Sequence, residues 1–379
     1  MLGLVSLFMD TSSELVHSLL PVFMASVLGA SMTTIGIIEG VAEATVAVTK
    51  VFSGALSDFL GKRKALAVFG YGLAAISKPI FPLAQTIGWV FTARFVDRIG
   101  KGIRGAPRDA LVADIVHSES RGAAYGLRQS LDSVGAFLGP ILAIVFLVWL
   151  NNDIRLVLWV AIFPALISVA ILVFGVAEPK NIQGQNGAGE RFSLLSARRL
   201  PSRYWWTVSL GAVFTLARFS EAFLILRVQY LGLELAYIPL VLIVMNVVYT
   251  LSAYPAGVVA DRVNPRILLI GGLLVLILAD GLLAVAAKPL SALFGVALWG
   301  LHMGMTQGLF TKLVADAAPA ELRGSAFGVF NLVTGVALLL ASVVAGVVWS
   351  FFGPGTTFVI GAGFALVTVF GLFAYIPRQ

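Results

Sequence analysis

Ionisable side chains lie at helical spacing inside three long apolar stretches of this sequence, where each is costly unless it is paired or functional. One stretch carries two acids and a histidine, the second carries two acids and a lysine, and the third carries basic residues with one acid. These residues are Asp10, Glu14 and His17; Glu39, Glu43 and Lys50; and Arg94, Asp97, Arg98, Lys101, Arg104 and Arg108. Buried carboxylates beside arginines can take up and release protons as hydration changes, because a nearby cation favours the charged form and burial disfavours it.

The spacing predicts a proton-coupling group and a substrate-binding group. With a rise of about 1.5 Å per residue, Glu14, Glu43 and Arg98 are expected at a similar depth in the membrane. The predicted proton-coupling residues are Asp10, Glu14, Glu39, Glu43 and Arg98. The predicted substrate-cavity residues are His17, Arg94, Asp97, Lys101, Arg218, Glu221, His302 and Gln307. The simpler interpretation is structural pairing between helices, and for Arg104 and Arg108 a long side chain that reaches the membrane interface.

The sequence gives little support for a metal site, a cofactor or hydrolytic activity. The chain has no cysteine, which excludes disulfides, thiolate metal sites and cysteine nucleophiles. His302, Met303 and Met305 share no regular ligand spacing with the acids and histidine of the first stretch, so no metal site is assigned. The sequence also lacks a phosphate-binding P-loop and the zinc-protease and serine-hydrolase motifs. We therefore expect no cofactor and no enzymatic activity.

The elements that must position these residues are membrane-spanning helices. Of the 379 residues, 59% are hydrophobic and 12% are charged, whereas soluble domains are about 45–50% apolar and about 25% charged. A helical span needs about 20 apolar residues. Hydropathy and helix breakers predict twelve spans, at about 2–28, 34–57, 65–85, 88–112, 122–150, 156–176, 204–230, 236–260, 267–287, 290–315, 324–352 and 356–376.

The charged loops predict the orientation of these spans. The net charge of +7 comes from lysine and arginine in alternate loops, which is typical of cytoplasmic loops, so nucleic-acid binding is not inferred. We expect a first six-helix bundle over 1–176, a polar cytoplasmic linker over 177–203 and a second bundle over 204–379. Both termini are expected in the cytoplasm, with the chain a monomer in the lipid bilayer.

The two halves repeat each other. The tetrapeptide LVAD at 111–114 recurs at 313–316, and the dipeptide RG at 121–122 recurs at 323–324, each 202 residues later. Ordered matches at a constant interval indicate duplication. Parallel six-helix repeats are an architecture of secondary transporters.

At these residues the chain resembles the major facilitator superfamily over its full length. The stretch 54–64 matches the family's G-x-x-x-D-x-x-G-[RK]-x-[RK] signature apart from Phe59, which replaces the usual arginine, and 257–266 is a degenerate second copy. A further stretch resembles the G-x-x-x-G-P motif of bacterial drug:proton antiporters. The gate-motif residues are Gly54, Asp58, Gly61, Lys62, Arg63, Asp261 and Arg262, and the antiporter-like residues are Gly135, Gly139 and Pro140. The resemblance implies an all-α polytopic protein of the bacterial cytoplasmic membrane, with two pseudo-symmetric bundles and a cytoplasmic gate latch.

These observations predict a secondary active transporter, specifically a proton-coupled exporter (an antiporter) of a small amphipathic molecule that works by alternating access. Its partners are then the substrate and protons. One alternative is a carrier or exporter of an organic anion, a siderophore-like chelate or a metal ion, since arginine suits carboxylates. The cations that motivate it are Lys50, Lys78, Arg94, Arg98, Lys101 and Arg218. Remoter alternatives are a membrane-embedded enzyme with Asp10 and Glu14 as its acid/base pair, and a receptor that no longer transports.

Overall fold

The computed structural model describes residues 1–60, 62–117, 120–177, 199–306, 308–319 and 322–374, and every regular element in them is helical. Sixteen α-helices and two short turns of other helix types form twelve segments, as predicted. The first six are α1 (Leu2–Val22) with the π-helical turn Phe23–Val27, α2 (Met32–Leu60), α3 (Arg63–Ser77) with α4 (Ile80–Leu83), α5 (Ile87–Ile115), α6 (Arg121–Trp149), and α7 (Ile154–Val160) with α8 (Ile162–Gly175). The second six are α9 (Ser202–Leu216) with α10 (Ala222–Tyr230), the 3-10 turn Leu235–Tyr237 with α11 (Leu240–Arg262), α12 (Pro265–Val285), α13 (Pro289–Thr306) with α14 (Leu309–Ala317), α15 (Arg323–Phe352), and α16 (Pro354–Ala374).

Seven of these segments are long and apolar enough, by length and composition alone, to cross a membrane. They are Arg63–Leu83, Arg121–Trp149, Ile154–Gly175, Leu235–Ala260, Pro265–Val285, Arg323–Phe352 and Pro354–Ala374. The other five contain the charged residues of the predicted site or a break in the helix. Their lower hydropathy is therefore the mark of the segments that hold functional groups.

Four predicted helices are each divided into two α-helices, and the breaks in 204–230 and 290–315 bear on the site. α13 and α14 meet at Gly308, whose φ of +73° is readily adopted only by glycine. Between α9 and α10 the Ser342 hydroxyl of α15 accepts a hydrogen bond from the Ser220 backbone N–H (3.2 Å). The Ser220 hydroxyl in turn accepts one from the Ala222 N–H (3.3 Å) and caps the start of α10. Discontinuous helices of this kind form the binding sites of many transporters.

The duplication extends to the helix ends. α3 begins at residue 63 and α12 at 265, while α6 begins at 121 and α15 at 323. The α4 end at 83 and the α12 end at 285 are also 202 residues apart. The interval found in short motifs therefore relates whole helices of the two halves.

The chain divides into two compact units. The first comprises Met1–Ala30, Val41–Ala188 and Leu235–Leu240, and the second comprises Ser31–Gly40, Gly189–Glu234 and Val241–Gln379. In the first unit α1 packs on α6 and α8, and α3 packs on α5. In the second unit α12 packs on both α13 and α16, and α15 packs on α9. Helix α2 contributes its first turns to the second unit and the rest to the first.

Candidate functional site

The first unit brings together acids and bases of α1, α2 and α5, as the helical spacing predicts. Two acids of α1 and one acid of α2 each have a basic partner. These pairs are Glu43–Arg98 (Oε1 to a terminal guanidinium nitrogen, 3.5 Å), Asp10–Arg104 (Oδ1 to a terminal guanidinium nitrogen, 3.5 Å) and Glu14–His17 (Oε2 to Nδ1, 3.3 Å). Four of the five predicted proton-coupling residues therefore take part in these pairs: the three acids Asp10, Glu14 and Glu43, which we call the acid cluster, and Arg98, the partner of Glu43.

The acids and the arginines of these pairs differ in exposure. The Glu43 side chain is 31% exposed, whereas that of its partner Arg98 is 3% exposed, and Asp10 and Arg104 show the same contrast. A carboxylate is not stable against lipid, so the exposed acids must border water. The guanidinium groups lie behind them. The carboxylates are therefore the more accessible members of both pairs.

Arg104 does not reach the interface, so that expectation is wrong. Its side chain is buried, pairs with Asp10 and stands 4.7 Å above the ring centroid of Tyr71. Arg108 is only slightly more exposed and donates to the Ser6 hydroxyl (2.9 Å) and to Asp109 (3.1 Å). A carboxylate and a ring face inside the unit compensate the burial of these cations, which sequence spacing along α5 could not reveal.

A second buried ion pair lies behind the acid cluster. The Lys78 Nζ is 2.8 Å from Asp97 Oδ1 and 3.1 Å from the Ser13 hydroxyl, and the lysine and aspartate side chains are 1% and 4% exposed. The other Asp97 oxygen lies 3.8 Å from Arg98 Nε. Asp97, predicted to line the substrate cavity, is instead enclosed by this pair. Arg98 stands between two carboxylates, those of Asp97 and Glu43.

Two further predicted cavity cations come from α5. Arg94 is buried. Lys101 is half-buried, and within the described part of the chain it has no hydrogen bond or ion pair. Its ammonium group acts at longer range on Asp10, Glu14 and Glu43. Within the described residues, Lys101 is thus a half-buried cation of α5 that no acid holds in an ion pair.

Glu39 is separated from the acid cluster, although it lies one turn before Glu43 on α2. It belongs to the second unit, is fully buried and accepts a 3.4 Å hydrogen bond from the Ser220 hydroxyl. The boundary between the units passes through α2 between Gly40 and Val41. The assignment of Glu39 to proton coupling stays a prediction.

The second unit places Arg218 in the break between α9 and α10. Its guanidinium carbon lies 5.5 Å from the ring centroid of Phe214 and 5.9 Å from that of Trp299. Glu221, three residues later, is half-buried. His302 is fully buried, with Nδ1 2.8 Å from the carbonyl oxygen of Gly272. Gln307 lies outside the described residues.

A buried acid that the sequence analysis did not assign lies beside these aromatic residues. Asp280 Oδ1 accepts a 3.0 Å hydrogen bond from Trp299 Nε1, and both side chains are buried. Asp280 and Trp299 stand 202 residues after Lys78 and Asp97. Both halves therefore have a donor–acceptor pair at the same repeat positions. The first position holds the donor in the first half (Lys78) and the acceptor in the second half (Asp280). Applying the repeat interval to charged residues would have found both pairs.

The gate motif is described only in part. Gly54 lies on α2, where an added Cβ would be 3.8 Å from the Ala106 side chain. Arg63 forms an ion pair with Asp114, and Lys62 is exposed at the start of α3. Gly61 and the side chains of Asp58 and Asp261 lie outside the described residues, while Arg262 is exposed. The latch function of these residues stays a prediction.

The antiporter-like motif lies where α6 crosses α1. A Cβ on Gly139 would come within 2.7 Å of the Thr11 carbonyl oxygen and the Leu15 nitrogen, and Gly135 makes a similar approach to α1. Pro140 is buried in the same helix. Close backbone packing accounts for both glycines. A role in antiport stays a prediction.

Comparison with known proteins agrees with this architecture. The family model of the Major Facilitator Superfamily matches residues 2–338 and 215–379. An uncharacterized MFS-type transporter of Methanocaldococcus jannaschii is 29% identical over 97% of this chain and 92% of its own length. The multidrug resistance protein MdtL of Klebsiella pneumoniae is 23% identical over 84% of this chain and 80% of its own. The crystal structure of the nucleoside transporter NupG superposes with a TM-score of 0.77 at 14% identity, covering 100% of this chain and 98% of its own. The chain belongs to the Major Facilitator Superfamily, and it is a multi-pass membrane transporter rather than an enzyme.

Proposed function

We propose that this transporter is a proton-coupled exporter, which exchanges protons for a small amphipathic molecule by alternating access. The observation that supports it is the contrast within the acid cluster, where Glu43 is half-buried, with 31% of its side chain exposed, and its partner Arg98 is buried. A carboxylate in this position can exchange protons with water in an open cavity. When the cavity closes, the balance between burial and the arginine changes, and with it the charge state of the acid.

The energy for export comes from the proton gradient. One charge that crosses the membrane is worth about 2.3 kcal/mol per 100 mV of potential. Substrate and proton then influence each other's binding reciprocally at the acid cluster. A relative named as a multidrug resistance protein supports the outward direction of transport. We further propose a bacterial cytoplasmic membrane, a monomer, and both termini with the 177–203 linker on the cytoplasmic side.

The test uses purified protein in liposomes with an imposed pH gradient, a pH-sensitive dye inside and ethidium as the amphipathic probe. We expect Glu43→Gln to lose gradient-driven ethidium movement, because the amide cannot carry the proton. Exchange of labelled for unlabelled ethidium at equal pH requires no net proton movement and is expected to persist. Glu234→Gln, at an exposed glutamate outside the cluster, is the matched control.

Glu14 is the alternative proton site, because it lies on α1 in the same cluster and pairs only with His17 among the described residues. If Glu14→Gln loses coupling and Glu43→Gln retains it, the proton site is Glu14 on α1 rather than Glu43 on α2. The proposal of coupling through the acid cluster then stands. If both variants still concentrate ethidium against a gradient, coupling through the acid cluster is wrong.

An organic-anion carrier is the second candidate. It is favoured by Lys101 and Arg218, since neither forms an ion pair with any described residue. In the same liposomes, carboxyfluorescein in place of ethidium distinguishes the two substrates by charge. A metal-ion substrate has no such support, because the described residues contain no group of three histidine or acidic side chains able to hold a metal.

A further inference from the structure

The break between α9 and α10 fixes the backbone of Arg218. The Arg218 N–H donates to the Thr215 carbonyl oxygen (3.0 Å), and two residues later the Ser220 N–H is held by Ser342. The side chain therefore leaves the chain at a non-helical turn rather than from a regular helix face. Discontinuous transporter helices characteristically place binding groups at such turns.

Aromatic rings hold the Arg218 guanidinium without using its hydrogen-bond donors. It stands over the ring faces of Phe214 and Trp299, and a cation on a ring face keeps its N–H groups directed outward. Trp299 is itself fixed by its bond to Asp280, and Phe214 packs against Phe310 at 4.8 Å between centroids. The rings are thus oriented independently of any ligand.

The donors of Arg218 have no acceptor in the described structure. Its Nε is buried without a hydrogen-bond partner, and no described carboxylate lies within ion-pair distance of the guanidinium. The groups that act on it at longer range are Glu221 in the same turn, Tyr249 on α11 and His302 on α13. Arg218 is half-buried, and its buried Nε–H without an acceptor is costly, so an acceptor that arrives from outside is favoured.

We propose that Arg218, Phe214 and Trp299 form a subsite for the carboxylate of a planar aromatic substrate. The guanidinium fork binds a carboxylate through two parallel hydrogen bonds, and the buried rings of Phe214 and Trp299 give it apolar, aromatic surroundings that suit a flat apolar body. A cationic group would be repelled by Arg218. This inference rests on the organic-anion carrier, the second candidate of the proposed function, and specifies its substrate class; it assigns substrate to the second unit and protons to the first.

The experiment measures binding alone, at one pH and without a gradient, so a failure of proton coupling does not affect it. Full-length protein in nanodiscs of phosphatidylethanolamine and phosphatidylglycerol is dialysed to equilibrium against radiolabelled benzoate. Competitors are benzamide, which lacks the charge, cyclohexanecarboxylate, which lacks the aromatic ring, and benzylamine, which reverses the charge. We expect benzamide and benzylamine to compete at least about tenfold more weakly than benzoate, with cyclohexanecarboxylate in between.

The variants locate the binding group. Arg218→Gln is expected to raise the benzoate Kd by about tenfold or more, and Arg218→Lys to have an intermediate effect because it keeps the charge and loses the fork. Phe214→Leu is expected to remove the preference for benzoate over cyclohexanecarboxylate. Lys312→Gln, at an exposed lysine on α14, is the charge-matched control and keeps the wild-type Kd.

Several outcomes would overturn the subsite. They are an unchanged Kd in Arg218→Gln, a wild-type protein that does not bind benzoate, and equal binding of benzoate and benzamide. A loss of binding in Lys101→Gln with none in Arg218→Gln would likewise assign the anion to the first unit. Should Arg218→Gln fail to fold, Arg218→Lys and Phe214→Leu still decide between the outcomes. Gradient-driven proton movement, measured separately in liposomes, tests the transport function on which the subsite rests.

Discussion

Replacing Lys78 with methionine is expected to destabilise the protein strongly, whereas replacing Lys78 and Asp97 together is not. The ammonium group and the carboxylate are 2.8 Å apart and almost fully buried. Removing only the lysine leaves an uncompensated buried carboxylate, which costs about 3–5 kcal/mol. The Arg98 guanidinium, 3.8 Å away, remains beside Asp97, so we expect the lower end, about 3 kcal/mol.

The double variant Lys78→Met/Asp97→Leu replaces both charges with apolar side chains of similar size. Apolar replacement of a whole buried pair is often neutral or stabilising by about 1–4 kcal/mol. Because Arg98 then loses one of its two carboxylates, we expect a value near neutral. The two single variants and the double variant form a thermodynamic cycle, whose coupling free energy is expected to be about 3 kcal/mol or more.

The assay is equilibrium unfolding of purified protein in mixed detergent–SDS micelles, followed by circular dichroism. The more exposed pair Arg128–Asp132, one turn apart on α6 and 2.7 Å between charged atoms, is the matched control. Its coupling free energy is expected to be below about 1 kcal/mol. A double variant at 78 and 97 that is as unstable as the sum of its single variants would refute the reasoning. So would a Lys78→Met protein as stable as wild type.

Two other predictions concern packing and topology. Gly139→Ala is expected to reduce the yield of folded protein, because its Cβ would approach α1 backbone atoms to 2.7 Å, whereas Gly363→Ala, with no atom within 4 Å, is expected to be tolerated. Size-exclusion chromatography after membrane extraction compares the two, and equal yields contradict the packing argument. Single cysteines at Asn186 and Gln379 are expected to resist impermeant thiol reagents added outside intact cells, since the native chain has no cysteine and both positions are proposed to be cytoplasmic. Labelling from outside would reverse the orientation.

The helices were predictable because their signals are local. Long apolar stretches located the twelve segments, and one-turn spacing brought Asp10 and Glu14 to one face of α1. The break after α9 was not predictable, since no proline or glycine marks it. It depends on Ser342, which lies 122 residues away from Ser220 in sequence. Local propensity is overridden there by a tertiary hydrogen bond.

The candidate site was predictable as a set of residues but not as a set of partners. The sequence indicated that Glu14, Glu43 and Arg98 share a depth. The structure adds that Arg98 lies between Glu43 and Asp97, and that Asp97 is itself paired with Lys78. Which carboxylate an arginine pairs with depends on how far its side chain extends toward a neighbouring helix. The spacing of residues along one helix does not reveal this. Exposure of the acid and burial of the base is likewise a property of the assembled helices.

The pairs Lys78–Asp97 and Asp280–Trp299 occupy equivalent positions in the two halves, with donor and acceptor exchanged. They therefore bear on the order in which residues changed after the duplication. Suppose that the ancestor had lysine and aspartate at these positions. If the lysine changed to aspartate first, two buried carboxylates would then have faced each other. A first change of aspartate to tryptophan would instead have set the lysine beside an indole ring, a contact that stabilises a cation. Only the second order passes through an intermediate without an uncompensated pair of like charges. Reconstructed ancestors of the second half are therefore expected to acquire tryptophan at position 299 before aspartate at position 280.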